Sequence, residues 1–168
     1  MEEIADLLKT IAHAPVKKRA ITNHDVLNEA YAYAKPSSFS RGMRIDLNGL
    51  SILMISGTAS IDEQGRSIHI GDFRAQMRRT LDNITGLLAS EGATWHDIVR
   101  TTCYLRDIER DYEQFNLIRT EFFKEQGLDV LPASTGIQAI FCWPTLLYEM
   151  DAMAIFETPV AIDPQGAN

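Results

Sequence analysis

Hydrophobic and polar residues alternate near the carboxyl end of the chain, and this alternation predicts a strand over residues 146–156. One face of the strand is apolar throughout and consists of Tyr148, Met150, Ala152, Ala154 and Phe156. The other face carries Glu149 and Asp151 among apolar side chains. Because neither face suits bulk water, we expect helices to cover the first face and another subunit or a ligand site to cover the second.

Shorter segments with the same period of two predict the rest of a sheet. The dipeptide Asn48-Gly49 lies between two apolar runs and is a strong hairpin signal, and a second short hairpin is expected around 62–65. In a later strand, Val99 is expected to share a buried face with Cys103 and Leu105. The remaining strands are predicted at 42–47, 51–56, 97–106 and 133–141.

Two amphipathic helices are expected between these strands. The first runs from an N-cap at Asp72 to Gly92, and the second from an N-cap at Asp111 to Gly127. Since each helix needs one sheet face, the order of elements predicts an α+β fold in which both helices cover the same side. Oligomerisation would then bury the other side of the sheet.

The first forty residues are expected to form an added arm. Apolar residues at helical spacing predict a helix over 4–11, and a second short helix is expected at 24–33. The chain is therefore divided into an N-terminal helical arm at 1–40, a domain at 41–158 and a flexible tail at 159–168.

Composition narrows the function classes. The net charge of −7 opposes binding to nucleic acid, and the only basic run, at 17–19, is expected to be a solvated turn. No apolar run reaches membrane-spanning length, and no secretory signal is recognised, so a cytoplasmic location and no membrane partner are expected. The two cysteines, Cys103 and Cys142, fit reduced thiols better than a disulfide framework.

The motifs of the chain favour acid–base chemistry by a carboxylate over chemistry on a metal or a cofactor. The four histidines are scattered and no phosphate-binding loop is present, so no metal and no cofactor are implied. Burial of Glu149 would disfavour its charged form, and it could then act as an acid or base or orient a water. It could equally pair with a basic residue across an interface. Asn116 is the second candidate, with a solvated or capping amide as its alternative role, and Gly136 in a strand indicates a bulge or a close backbone approach.

Several short motifs occur together in a fixed order between residues 42 and 156. They are Ser56-Gly57, Gln76 with Leu81-Asp82-Asn83-Ile84, Gly92-Ala93, Asp97-Ile98-Val99-Arg100-Thr101-Thr102, Leu105-Arg106-Asp107, Phe115-Asn116, Phe122-Phe123, Pro132-Ala133 and Glu149 with Ala152-Met153-Ala154. In this the chain resembles the RidA (YjgF) family, also called the endoribonuclease L-PSP family. The resemblance implies a chorismate-mutase-like mixed sheet with two helices on one face, a homotrimer and three clefts between subunits. It also implies hydrolysis of small reactive enamines and imines.

The chain departs from the family pattern at three positions. Active deaminases of the family follow Pro-Ala with an arginine that holds the substrate carboxylate, and this chain has Ser134 there. A cysteine often found two positions later is Gly136, and an aromatic hydroxyl near the start of the domain is replaced by Phe39. Ser56, Asn116 and Glu149 are retained. The resemblance thus implies a pocket that lacks the arginine for the substrate carboxylate. Arg41, Arg44 and Arg100 could reach the cleft, but from the usual behaviour of arginine they are expected to be surface or inter-subunit ion-pair partners.

A second resemblance concerns the substrate. Pro132-Ala133-Ser134-Thr135-Gly136-Ile137 and Ser56-Gly57-Thr58-Ala59-Ser60 are similar to segments of the chorismatases, which hydrolyse an enol ether. Three functions follow: a RidA-like hydrolase in which Glu149 orients water or protonates the substrate, a chorismatase-type hydrolase, and a non-catalytic ligand-binding or regulatory trimer. The catalytic residues are expected to be Glu149 and Asn116. The substrate-binding residues are expected to be Phe39, Ser56, Gly57, Ser134, Thr135 and Gly136.

Overall fold

The computed structural model describes residues 16–158, which form one six-stranded sheet and two long helices on one of its faces. In chain order the elements are β1 (Lys18–Ala20), β2 (Gly42–Leu47), β3 (Leu50–Ala59), α1 (Phe73–Ala89), β4 (Ile98–Leu105), α2 (Ile108–Glu125), β5 (Ala133–Gln138) and β6 (Tyr148–Glu157). The strands lie in the order β1-β2-β3-β6-β4-β5. Only β4 and β5 are parallel, so the sheet is mixed, as the resemblance implies.

The hairpin between β2 and β3 forms where the sequence predicts it. Asn48 and Gly49 have φ angles of 51° and 82°, and the register closes on Leu47 opposite Leu50. A two-residue turn with both φ angles positive matches the right-handed twist of the strands, and asparagine followed by glycine adopts these angles at little steric cost.

Both helices begin at an aspartate. The Asp72 carboxylate accepts the amide N–H of Ala75 at 2.9 Å, which confirms the predicted start of α1. The predicted start of α2 at Asp111 is wrong by one turn, because Asp107 accepts the N–H of Arg110 at 3.0 Å. Asp111 is instead buried in the first turn and pairs with the Arg110 guanidinium.

The hydrophobic core lies between the helices and one face of the sheet. Tyr148, Met150, Ala152 and Ala154 of β6 all point into it and are buried, as their spacing predicts. Phe115 of α2 packs against Tyr148 with ring centroids 6.0 Å apart. The opposite face is open in the single chain, where Met54 is 48 % exposed and Ile155 is 38 % exposed. This face, on which Glu149 and Asp151 also lie, is called the open face below.

One predicted face of β4 needs correction. Val99 is 42 % exposed, whereas Thr101, Cys103 and Leu105 are buried. The pairing of β4 with β6 shifts by one residue between Ile98 and Arg100, and this bulge turns Val99 out of the core.

The helix predicted at 24–33 does not form. The chain makes an isolated bridge between Asn23 and Leu27 and then a single 3-10 turn at Ala30–Ala32. Tertiary contacts override the local pattern, since the Asn23 side chain donates to the Gly86 carbonyl of α1 at 3.0 Å and Leu27 is fully buried.

The predicted turn at 17–19 is also wrong in part, because Lys18–Ala20 forms edge strand β1. The helix expected at 4–11 and the tail at 159–168 lie outside the described residues. The division into arm, domain and tail stays a prediction. Within 16–158, neither helix combines the length and the hydropathy needed to cross a bilayer.

Candidate functional site

Glu149 lies on the open face of the sheet, on β6 between β3 and β4. Its carboxylate rests against Gly57. A Cβ placed on Gly57 would collide with Oε1 of Glu149 and would lie 3.1 Å from Cδ. The absence of a side chain at position 57 therefore makes the space that the carboxylate occupies.

A bulge in β3 positions Gly57. The pairing of β3 with β6 is regular up to Ile55 and resumes with a shift at Thr58, so Ser56 and Gly57 form the irregular step. The hydroxyl of Ser56 donates to the Ser40 carbonyl at 2.8 Å, and the hydroxyl of Thr58 donates to the Ser56 carbonyl at 2.9 Å. These two bonds fix the backbone that faces Glu149.

The surroundings of Glu149 favour its neutral form. Burial raises the pKa of the Glu149 carboxyl, and the neighbouring charge of Asp151 raises it further. Asp151 itself accepts the Tyr104 hydroxyl at 2.7 Å. Among residues 16–158, no lysine, arginine or histidine nitrogen comes within salt-bridge distance of Glu149. The ion pair considered for Glu149 is therefore not made within the described part of one chain.

Asn116 and Ser134 belong to a second group of polar residues, on the helix-covered side of the sheet. The Arg119 guanidinium joins them: Nη2 donates to Asn116 Oδ1 at 2.7 Å, and Nη1 donates to Ser134 Oγ at 3.1 Å. Ser134 also accepts the Thr101 hydroxyl at 3.0 Å. Asn116 donates back to the Tyr112 carbonyl of its own helix at 3.0 Å.

The sheet separates this second group from Glu149. Side chains of β6 alternate between faces, so Tyr148, which packs on α2, and Glu149 point in opposite directions. The structure therefore does not bring the two expected catalytic residues, Glu149 and Asn116, together in one chain. The two groups can serve one reaction only if different subunits supply them.

The remaining predicted binding residues divide between the same two faces. Thr135 shares the side of Arg100, whose Nη2 donates to its hydroxyl at 3.1 Å. Gly136 pairs with Cys103 in unbroken register, so the bulge considered there is absent. A Cβ on Gly136 would meet nothing closer than Phe115 at 4.0 Å, so packing does not demand glycine.

Two of the arginines considered earlier are internal residues. Arg41 is 2 % exposed and donates to the Tyr33 hydroxyl and to the Asn28 carbonyl, with Phe39 stacked 5.3 Å from its guanidinium carbon. Arg44 is buried against Glu91. The expectation that these two are surface or inter-subunit partners is therefore wrong.

Arg119 is the residue that sequence reasoning missed. Its spacing from Asn116 and Phe115, three and four residues along a helix, could have placed all three on one helix face. Its guanidinium carbon in fact stands 4.5 Å from the Phe115 ring centroid. Within 16–158, no group of three or more histidine, cysteine, aspartate or glutamate side chains is arranged to hold a metal ion.

The sequence is similar to a family model and to curated proteins of known sequence. The model of the family described as endoribonuclease L-PSP matches residues 31–156. A RutC family protein of Pyrococcus abyssi is 30% identical over 107 residues, which are 64% of this chain and 80% of that protein. The 3-aminoacrylate deaminase RutC of Acinetobacter baylyi is 31% identical over 104 residues, which are 62% of this chain and 79% of that protein.

Solved structures agree on the fold. The YjgF gene product of E. coli superposes with a TM-score of 0.64 at 25% identity, covering 82% of this chain and 98% of that one. The Rid family protein YyfA of Yersinia pestis superposes with a TM-score of 0.65 at 27% identity, with the same coverage. The predicted α+β fold is confirmed by these likenesses and by the strand order.

Proposed function

The chain belongs to the endoribonuclease L-PSP family, that of the RidA (YjgF) proteins, and from this premise we propose that it hydrolyses a small enamine or imine with Glu149 as the acid and base. The observation that carries the proposal is the Glu149 carboxyl, half-buried against Gly57, with a raised pKa and no basic partner among residues 16–158. A relative named as a 3-aminoacrylate deaminase supports the substrate class.

The reaction needs one group that first gives and then takes a proton. Neutral Glu149 protonates the imine nitrogen, or the carbon of the enamine, and the product is an iminium ion. The resulting carboxylate accepts a proton from water as the water oxygen bonds to the iminium carbon. Neutral Glu149 then protonates the amine nitrogen of the carbinolamine, and the C–N bond breaks as the C=O bond forms. The carboxylate takes the proton of the hydroxyl group, so ammonia and a carbonyl product leave and Glu149 is neutral again. A carboxyl whose pKa is raised toward neutrality suits both steps.

We place the complete site between subunits of a homotrimer. Met54 of β3, Ile137 of β5 and Ile155 of β6 expose apolar surface that a second copy would cover. In this arrangement Glu149 of one subunit faces the Asn116, Arg119 and Ser134 group of the next. The proposed setting is the cytoplasm, with a small-molecule substrate. The net charge of −7 favours neither nucleic acid nor an anionic membrane as partner.

Imine turnover by matched variants tests the proposal. A pyridoxal-phosphate dehydratase supplies 2-aminoacrylate, which tautomerises to 2-iminopropionate, and the formation of pyruvate is followed with and without this protein. We expect acceleration by the wild type and its loss in Glu149→Gln. Glu157→Gln makes the same change at the exposed end of the same strand and should keep the activity.

No acceleration by the folded wild type would contradict the hydrolase proposal. Equal acceleration by Glu149→Gln would contradict the role of Glu149. Chorismate in place of the imine tests the chorismatase-type alternative in the same assay, since pyruvate is again the product. A ligand bound without turnover of either compound would favour the non-catalytic alternative.

A further inference from the structure

A cleft lies between α2 and the start of β5, with a volume of about 380 Å³. Its polar and charged lining comes from Arg119, Thr120, Lys124, Asp129 and Ser134. Phe123, Leu128, Leu131 and Pro132 complete the wall. The cleft therefore has the size of a small metabolite, and its lining combines apolar side chains with a guanidinium.

Arg119 is held in place without being neutralised. Within 16–158 its guanidinium donates to the neutral oxygens of Asn116 and Ser134, and no carboxylate pairs with it. Arg74 and Arg78, by contrast, reach the carboxylates of Glu121 and Glu125. A guanidinium has five N–H groups, so the two bonds to Asn116 and Ser134 leave three for a ligand.

Neighbouring side chains also fix the orientation of the Arg119 guanidinium. The Phe115 ring lies against one face of the Arg119 guanidinium, and the two hydrogen bonds set its plane. A planar fork that is already oriented binds a carboxylate through two parallel hydrogen bonds and loses little side-chain entropy on binding. The charges of Lys124 and Asp129 offset each other, so Arg119 gives the cleft a net positive charge.

From these observations we infer that Arg119 binds the carboxylate of the ligand in the cleft beside Ser134. The inference rests on the proposed function in one respect, namely that this carboxylate belongs to the substrate hydrolysed by Glu149 of the neighbouring subunit. Arg119 is thus a substrate-binding residue that selects anionic over neutral imines. Ser134 and Asn116 position its guanidinium.

Binding of a stable carboxylate tests the inference separately from catalysis. Pyruvate and its neutral analogue pyruvamide are titrated into the assembled protein at low ionic strength, and the chemical shifts of the labelled protein report binding. We expect wild type to prefer pyruvate and Arg119→Gln to bind it about 10- to 100-fold more weakly, with pyruvamide unchanged. Arg119→Lys keeps the charge without the fork, so its affinity should fall between the two. Arg74→Gln, which removes an exposed arginine elsewhere, should behave as wild type.

The two proposals fail in distinguishable ways. Pyruvate binding that is equal in wild type and folded Arg119→Gln overturns the role of Arg119, whatever the turnover assay shows. A wild type that binds pyruvate no better than pyruvamide overturns it as well. Binding that depends on Arg119, in a protein that turns over no imine, supports the carboxylate site and overturns the hydrolase proposal alone.

Discussion

Substitution of Gly57 by alanine should displace the carboxyl group of Glu149 and so remove its activity, although Glu149 itself is unchanged. The added methyl group would collide with Oε1 and lie 3.1 Å from Cδ and 3.6 Å from Cγ, so the whole end of the glutamate side chain must move. Because the carboxyl is only half-buried, it can swing toward solvent, and we expect the unfolding free energy to fall by no more than about 1 kcal/mol.

The expected loss of activity is much larger than the loss of stability. General acid–base catalysis contributes about 100- to 10,000-fold to a rate, so Gly57→Ala should lower kcat by about 100-fold. A carboxyl that leaves its pocket also loses the burial that raises its pKa. Any residual activity that needs the protonated acid should therefore be confined to lower pH than in wild type.

The assay combines kinetics with a double-mutant cycle. If Gly57→Ala acts through Glu149, it should cost nothing further in the Glu149→Gln background. Gly136→Ala serves as the control for stability, since a methyl group there meets only Phe115 at 4.0 Å and should not lower the unfolding free energy. A Gly57→Ala protein with the kcat and pH profile of wild type would refute the argument that this glycine makes room for a catalytic carboxyl.

Other expected outcomes concern charge, capping and assembly. Asp151→Asn removes a charge that raises the pKa of Glu149, so the limb of the pH profile that needs neutral Glu149 should move to lower pH. Because the folded pKa of Glu149 lies above its unfolded value, folding is favoured when this group is protonated, and its contribution is lost as pH rises from the unfolded toward the folded pKa. Glu149→Gln should accordingly stabilise the fold near neutral pH relative to wild type and lose that advantage in acid, as urea unfolding at two pH values would measure. Asp107→Ala should cost about 1 kcal/mol of unfolding free energy, because it removes the N-cap of α2. Met54→Asp should dissociate the proposed trimer in sedimentation experiments, and a trimer unchanged by this charge would place the subunit interface elsewhere.

The sequence predicts those parts of the fold that local chemistry decides. The turn at Asn48-Gly49 requires positive φ angles, and the alternation along β6 separates its buried face from Glu149. The N-cap of α1 is likewise readable from Asp72. The start of α2 cannot be predicted in this way, because Asp107 and Asp111 are equally good N-cap residues. Only the burial of Asp111 in the folded protein distinguishes them.

The sequence predicts only part of the candidate site, because the rest depends on tertiary contacts. Glu149 can be identified from one strand, whereas its partner Gly57 depends on a bulge in β3 that shifts the register by one step. Arg119 has no motif of its own, and its role depends on the distance between a helix and the edge strand β5. Sequence periodicity gives the face of an element but not the distance between two elements.

Mixed assemblies of two impaired variants test the central claim most directly, namely that a secluded Glu149 of one subunit works with the Asn116 group of another. Glu149→Gln and Asn116→Asp are each expected to impair turnover. The two variants are mixed in equal amounts, unfolded and reassembled together. Native mass spectrometry then shows whether mixed trimers have formed. In a random mixture about a quarter of the clefts would combine two intact halves, so we predict recovery of about a quarter of the wild-type activity. Mixed trimers that are no more active than the average of their parents would contradict a site shared between subunits.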